Sequence, residues 1–292
     1  MLKIVLFGSN GFVGHNIKDY FSCNDNYSLL APSSEECNLL NLSEVEAYLK
    51  QYNPDFIINA SFIGVDSKRE YSDEYLFNNI LLQTNVMKAS RYVTNLKKLF
   101  VFGSGLECSD EDNLISEDSP ITPKNTYATI KAINTLLYQD FARQYSLPLV
   151  IFRLFNLYGP YDTKSVIYYL ASSVLLEKDF KVTKGDQVRD YLYCGDVPVI
   201  VETAIQEYKN ITDGEIYNVA TGEGTKLRDM FSMIFRETSY TKTLHPLDSP
   251  RNEYWKQTAD IQKIKASISY PRLTPLEVGM KKTISWIKES LT

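Results

Sequence analysis

"KIVLFGSNGFVGHNI", residues 3–17, runs from a short apolar stretch into glycines at 8, 11 and 14, then into residues with helical periodicity. A glycine at the first of these places permits a tight turn. The second lets a pyrophosphate approach the backbone, and the third lets helix and strand pack closely. The helix that follows offers its free amides and partial positive charge to the phosphates. A strand at 2–7, this turn and a helix over 12–21 therefore predict a dinucleotide-binding βα unit. Gly8, Ser9, Asn10, Gly11, Phe12, Val13 and Gly14 are its candidate cofactor contacts. His15, just beyond, reads as a helix-surface residue.

The same alternation continues downstream. "YSLLA" (27–31), "DFIINA" (55–60), "KLFVFG" (98–103) and "PLVIFRLF" (148–155) are near-continuously apolar, as strands buried on both faces must be. Helical patterns lie between them over 42–52, about 74–93 and 126–145, the first with Ser43 and Glu46 spaced as a capping box. This predicts an α/β fold with a Rossmann-type doubly wound parallel sheet. Beyond Gly159-Pro160 the pattern loosens. The expected division is a dinucleotide-binding domain over 1–157 and a smaller C-terminal α/β substrate lobe over 158–292, with a segment near 195–220 returning to the first domain.

Composition narrows the function classes. The chain has 292 residues, 44% of them hydrophobic, enough for a large core. Its net charge of −5 has the two signs interspersed and no basic stripe, so no nucleic-acid partner is expected. No apolar run is long enough to span a bilayer, so no membrane partner is expected either. Four cysteines without a CxxC pair suit free thiols in a reducing cytoplasm, and two histidines are too few for a histidine-ligated metal.

The end of the second strand bears on the cofactor. Sites for NAD usually place a carboxylate there, to bind the ribose 2′-hydroxyl. Here the segment reads Ala31, Pro32, Ser33, Ser34, with no carboxylate at those places and two hydroxyls able to donate to a 2′-phosphate. NADP(H) is therefore favoured over NAD(H). Glu35 reaching a 2′-hydroxyl is the competing reading.

In "NTYATIK" (125–131) Tyr127 and Lys131 stand four apart, on one face of a helix. With the glycine turn, this pair resembles the extended short-chain dehydrogenase/reductase family, the NAD(P)-dependent epimerases and dehydratases that act on nucleotide sugars. Further matches cover nearly the whole chain. "INAS" (58–61) is similar to the turn after the third cofactor strand, with Ala60 and Ser61. "CNLLN" (37–41), with Asn38 and Leu39, and Asn79 on a central helix match further cofactor positions. "FGSGLEC" (102–108) resembles the strand end that carries a catalytic serine, here Ser104, with Gly105 and Leu106 facing substrate. "RLFNLYGP" (153–160) resembles the crossover motif, placing Leu154 by the cofactor and Asn156 on the substrate's phosphates. "GDQVRDYLYCGDV" (185–197) puts Arg189 at the diphosphate position, and Arg251 in "SPRNEYW" is a second candidate. An arginine salt bridge between lobes is the alternative for both.

The resemblance implies that Ser104, Tyr127 and Lys131 are catalytic. Tyr127 gives or takes the proton, Lys131 lowers its pKa and binds the nicotinamide ribose, and Ser104 orients the substrate oxygen. It also implies a homodimer through two helices per subunit, 75–92 and 126–145. Departures from the family pattern narrow the reaction. Dehydratases carry an Asp-Glu pair directly after the catalytic hydroxyl residue, where this chain has Gly105 and Leu106. Glu107 is one place late, and on an extended turn it points to the other face. The GDP-fucose synthase branch uses a cysteine and a histidine where this chain has Leu106 and, approximately, Ser165; Cys108 reads as a packing residue, with a substrate contact as the alternative. What remains is NADPH-dependent reduction of a nucleoside-diphosphate 4-keto-6-deoxyhexose, in deoxysugar biosynthesis for surface polysaccharide. The alternatives are a 4-epimerase with tightly bound NAD and a non-catalytic dinucleotide-binding regulator.

Overall fold

The computed structural model describes residues 1–64, 72–108, 114–241 and 254–291. The chain opens with β1 (Leu2–Phe7), α1 (Phe12–Ser22), β2 (Tyr27–Leu30), α2 (Leu42–Tyr52), β3 (Phe56–Asn59), α3 (Asp73–Ser90), β4 (Lys98–Ser104), α4 (Thr126–Tyr145) and β5 (Leu149–Leu154). It continues through β6 (Leu157–Tyr158), α5 (Val166–Leu175), β7 (Val188–Asp190), β8 (Leu192–Tyr193), α6 (Val197–Gln206), β9 (Ile216–Val219) and β10 (Gly224–Lys226). The last elements are α7 (Leu227–Thr238), β11 (Lys256–Gln257), α8 (Gln262–Ser267) and α9 (Leu276–Leu291).

Six strands form one sheet in the order β2-β1-β3-β4-β5-β9, parallel throughout. Strand order reverses at β1, so the glycine turn at its carboxyl end sits at the topological switch point, where ligands of such sheets bind. The apolar runs are continuous because successive residues serve opposite faces. Ile4, Leu6, Phe56, Ile58, Phe100 and Phe152 enter one core. Val5, Ile57, Leu99, Val101 and Ile151 enter the other, under α2, α3 and α4. β9 extends this sheet beside β5, so residues 216–219 pack with the first half of the chain. A third core joins α5, α7 and α9 through Leu170, Met230, Ile234 and Met280. A small sheet, β10-β7-β11, flanks it.

Helix starts follow their caps. Asn41, rather than Ser43, caps α2: its side chain accepts from the Ser43 N–H and donates to Glu44. The expected Ser43–Glu46 box is thereby displaced by two residues, because an asparagine at the true N-cap competes well for the orphan amides. α3 begins one residue before its expected start, because Ser72 accepts from the Tyr75 N–H. Asn125 caps α4 through the Ala128 N–H, so Tyr127 lies in the first helical turn.

Candidate active site

The glycine turn has the steric character its spacing implies. Gly8 has φ +77°, and a Cβ there would meet the Ser61 backbone nitrogen at 2.5 Å. A Cβ on Gly14 would collide with the Gly8 carbonyl. Gly11 differs: its φ is −83°, and a Cβ would touch only Gly8 O, at 3.4 Å. The first and third glycines are thus required by the fold, whereas the second leaves an open cradle before the α1 amides. That cradle fits a pyrophosphate. Ser9 is buried in the turn, Asn10 is exposed, and Phe12 and Val13 open α1 half-buried.

β1, β3, β4 and β5 deliver the other sequence-designated residues to the same sheet edge. Ala60 follows β3, its N–H donating to Phe7 O, and Ser61 follows with its N–H on Asn59 Oδ1. Ser104 ends β4 in register with Leu154 on β5. Asn79 is elsewhere than expected. It is fully buried, its Oδ1 accepts from Ile63 N at 2.8 Å, and its Nδ2 donates to Ile63 O and Tyr75 O. Its amide braces the loop after β3 instead of presenting to a cofactor.

The β2 loop also corrects the expectation. Glu36 folds back so that its carboxylate accepts from Ser33 N at 2.8 Å, while Ser33 Oγ accepts from Glu36 N. The Ser33 backbone and side chain, donating to the carboxylate, hold the Glu36 carboxyl below its ordinary range. A negative charge therefore does stand beside Ser33 and Ser34, supplied by the residue after Glu35. Asn38 turns its Oδ1 onto Leu40 N, and Leu39 packs against the second core with its carbonyl taken by Asn85.

Ser104, Tyr127 and Lys131 converge. Ser104 lies beside Tyr127 and lowers its phenol, and its Oγ accepts from Leu106 N at 3.2 Å. Lys131 is buried one turn further along α4 and donates to Phe102 O at 2.9 Å. Its ammonium lies 4.7 Å from the Phe62 ring centroid, and that ring meets Tyr127 edge-on at 5.2 Å. Desolvation lowers Lys131 to about 8 against the pull of Glu107. Tyr127 moves opposite to expectation. Burial pushes it well above its ordinary value, with Ser104 lowering it and Glu107 and Tyr75 raising it. Desolvation is the largest influence, so burial favours the protonated phenol over the phenolate.

Residues 105–107 form a 3-10 turn, not an extended one. Gly105 is buried against the Phe155 ring, where a Cβ would lie 2.8 Å from Phe155 Cδ1, and the Leu106 carbonyl accepts from Tyr254 Oη. Glu107 turns inward and is fully buried, accepting from Ser104 N at 2.6 Å. Cys108 is buried in the first core.

Asn156, just after β5, and Arg189 on β7 line one cavity of about 170 Å³ with Ser165, Ile167, Gln187 and Tyr191. Arg189 is anchored by bonds to Val188 O and Tyr254 O. Next to it, buried Asp190 ties down the 221–222 loop through Thr221 and Gly222 amides. Arg251 lies outside the described residues. Sequence reading missed Glu107, Arg153 and Phe62. The one available signal was an arginine inside the apolar run "LVIFRL", which demands a buried partner.

A parallel sheet with a glycine cradle at its switch point and a serine–tyrosine–lysine cluster beside it defines a Rossmann-type dinucleotide-dependent enzyme. The chain belongs to the NAD dependent epimerase/dehydratase family, whose pattern it matches over residues 4–220. It is 24% identical to a GDP-L-colitose synthase from Yersinia pseudotuberculosis, over 98% of this chain and 97% of that protein. Among solved structures it resembles a UDP-glucuronic acid 4-epimerase from Bacillus cereus, in complex with a fluorinated UDP-sugar and NAD. That likeness has a TM-score of 0.89 at 22% identity, covering 99% of this chain and 100% of the other. A dTDP-glucose 4,6-dehydratase from Bacillus anthracis with NAD gives 0.86 at 17% identity, covering 99% and 97%. This protein is accordingly an NAD(P)-dependent enzyme of the oxidoreductase type. Among the described residues, no helix is long and apolar enough to cross a membrane.

Proposed function

We propose that this protein reduces the 4-keto group of a nucleoside-diphosphate 4-keto-6-deoxyhexose, with Tyr127 as proton donor. The observation that carries the reading is the convergence of Ser104, Tyr127 and Lys131 on one site with a single proton donor among them. Burial favours the protonated phenol at Tyr127, while the turn after Ser104 offers Gly105 and Leu106 in place of a second acid–base pair. With its pyrophosphate in the cradle, a bound dinucleotide would supply the hydride from its nicotinamide. Ser104 orients the ketone oxygen, and Tyr127 delivers its proton there as carbon 4 is reduced. Lys131, fixed by Phe102 O, places positive charge under the phenolate that forms. Asn156 and Arg189 hold the diphosphate in their shared cavity.

NADPH is taken as the reductant on the strength of the Ser33 and Ser34 hydroxyls, with Glu36 the opposing charge. The same loop favours a second reading, a 4-epimerase retaining NAD, since a carboxylate beside the ribose suits a free 2′-hydroxyl. A homodimer through α3 and α4 is part of the proposal. Phe77 (60% exposed), Leu81 (43%) and Leu136 (54%) form an apolar surface on these helices that pairing would cover.

The test is a panel of GDP-, CDP-, dTDP- and UDP-linked 4-keto-6-deoxyhexoses with NADPH or NADH, followed by cofactor absorbance and NMR of the product. One substrate should consume reductant stoichiometrically, and Tyr127→Phe should slow it by roughly 10²–10⁴-fold while cofactor still binds. Stoichiometric NAD released from the denatured purified protein, with no reductant consumed across the panel, would establish the epimerase instead.

A further inference from the structure

Beneath the Ser104–Tyr127–Lys131 cluster lies a charged pair that the proposed reaction leaves unused. Glu107 and Arg153 are 0% and 1% exposed, and their Oε2 and Nε stand 3.6 Å apart. A buried pair of this kind rarely repays its own desolvation, so it invites a functional account. Its geometry provides one. The other carboxylate oxygen, Oε1, accepts from the Ser104 N–H at 2.6 Å and closes the 3-10 turn that aims Ser104. Gly103 makes room for this arrangement: a Cβ there would lie 2.8 Å from Glu107 Oε1 and 3.2 Å from Thr135 Oγ1.

We propose that Glu107 is the positioning residue of the active site, its carboxylate aiming the Ser104 turn from below and standing as a buried counter-charge beneath the cluster. The proposal deepens the reading above and rests on it for the roles of Ser104 and Lys131. The charged and titratable groups facing Glu107 are Arg153 from β5 and Lys131, Tyr127 and Tyr138 from α4. Against Lys131, Glu107 opposes the desolvation that otherwise strips the ammonium. On Tyr127 it acts in the donor's favour, since a buried anion nearby discourages phenolate. Burial raises the Glu107 carboxyl itself, and Arg153, 3.6 Å away, opposes that rise and favours the carboxylate; on Lys131 and Tyr127 desolvation is the larger influence, and Glu107 favours the protonated form of each.

The test needs no sugar substrate, so it can fail or succeed separately from the reaction assigned above. The full-length protein is acylated with an amine-selective reagent across a pH series, and mass spectrometry reads the fraction modified at Lys131. In the native protein this titration centres near about 8. Glu107→Gln keeps an acceptor for Ser104 N but removes the charge, and should lower the Lys131 midpoint by about one pH unit or more. A purely packing role for Glu107 leaves the midpoint where it is. Should the single variant leave Arg153 too exposed to charge imbalance to fold, the doubly neutral E107Q/R153Q should show a smaller fall of the same sign, because Glu107 is the charge that opposes the desolvation of Lys131. An unmoved midpoint in either folded variant, or failure of both to fold, overturns the proposal in favour of a structural ion pair.

Discussion

Replacing the three turn glycines one at a time by alanine separates what the fold needs from what the cofactor needs. At Gly8 the new methyl faces a positive φ of 77° and the Ser61 backbone at 2.5 Å. The conformation alone costs about 1–2 kcal/mol, and the clash with immovable backbone adds to it. At Gly14 the methyl collides with the Gly8 carbonyl, so β1 and α1 must separate. At Gly11 the backbone is already in a region that any residue adopts, with φ −83° and ψ 170°, and the only neighbour is 3.4 Å away. As this is the N-cap of α1, alanine for glycine costs only a few tenths to about 1 kcal/mol there. The methyl does, however, project into the cradle. Losing one or two charge-assisted bonds to a pyrophosphate forfeits about 2–4 kcal/mol, a weakening of roughly 30- to 1,000-fold. Thermal denaturation and fluorescence titration with NADPH and NADH measure both quantities on each variant. The expected result is a Gly11→Ala protein close to wild type in Tm and crippled in binding, with Gly8→Ala and Gly14→Ala destabilised. Unchanged cofactor affinity in Gly11→Ala would remove the physical basis for placing the phosphates at this turn.

Three further outcomes follow from particular contacts. Lys131 titrates near about 8 in the fold against 10.5 in the unfolded chain. Between these values the unfolded chain holds a proton the folded one has lost, so stability rises with pH across the window, by at most about 3 kcal/mol. Denaturant titrations at either end should show that rise in wild type and its loss in Lys131→Met; an identical pH slope in the two proteins refutes the buried-lysine argument. Glu36→Gln, which removes the charge beside Ser33, should shift the NADPH-to-NADH affinity ratio toward NADPH by about 3- to 30-fold, and an unchanged ratio would show that the ribose lies elsewhere. Phe77→Glu or Leu136→Glu, on the exposed α3–α4 surface, should convert a dimer to monomers in sedimentation velocity without changing helicity, whereas a wild-type protein already monomeric at micromolar concentration rejects the interface.

How much of this was legible beforehand differs from residue to residue. The strands at 2–7 and 98–103 were readable because a strand covered on both faces must be apolar at every position, a signal carried in consecutive residues. The cap of α2 was not, because Asn41 and Ser43 are both competent N-caps and only the folded loop chooses between them.

The amino-acid order alone determined the alternation of strand and helix, the glycine turn and the tyrosine one helical turn before its lysine, because each depends on interactions within a few residues. Tertiary structure decided the rest. It spent Asn79 on the Ile63 backbone, folded Glu36 onto Ser33, turned Glu107 inward against Arg153, and let burial raise the Tyr127 phenol that a neighbouring ammonium was expected to lower. Those outcomes depend on which groups lose water together, and desolvation is a property of three-dimensional surroundings that no spacing in the chain encodes.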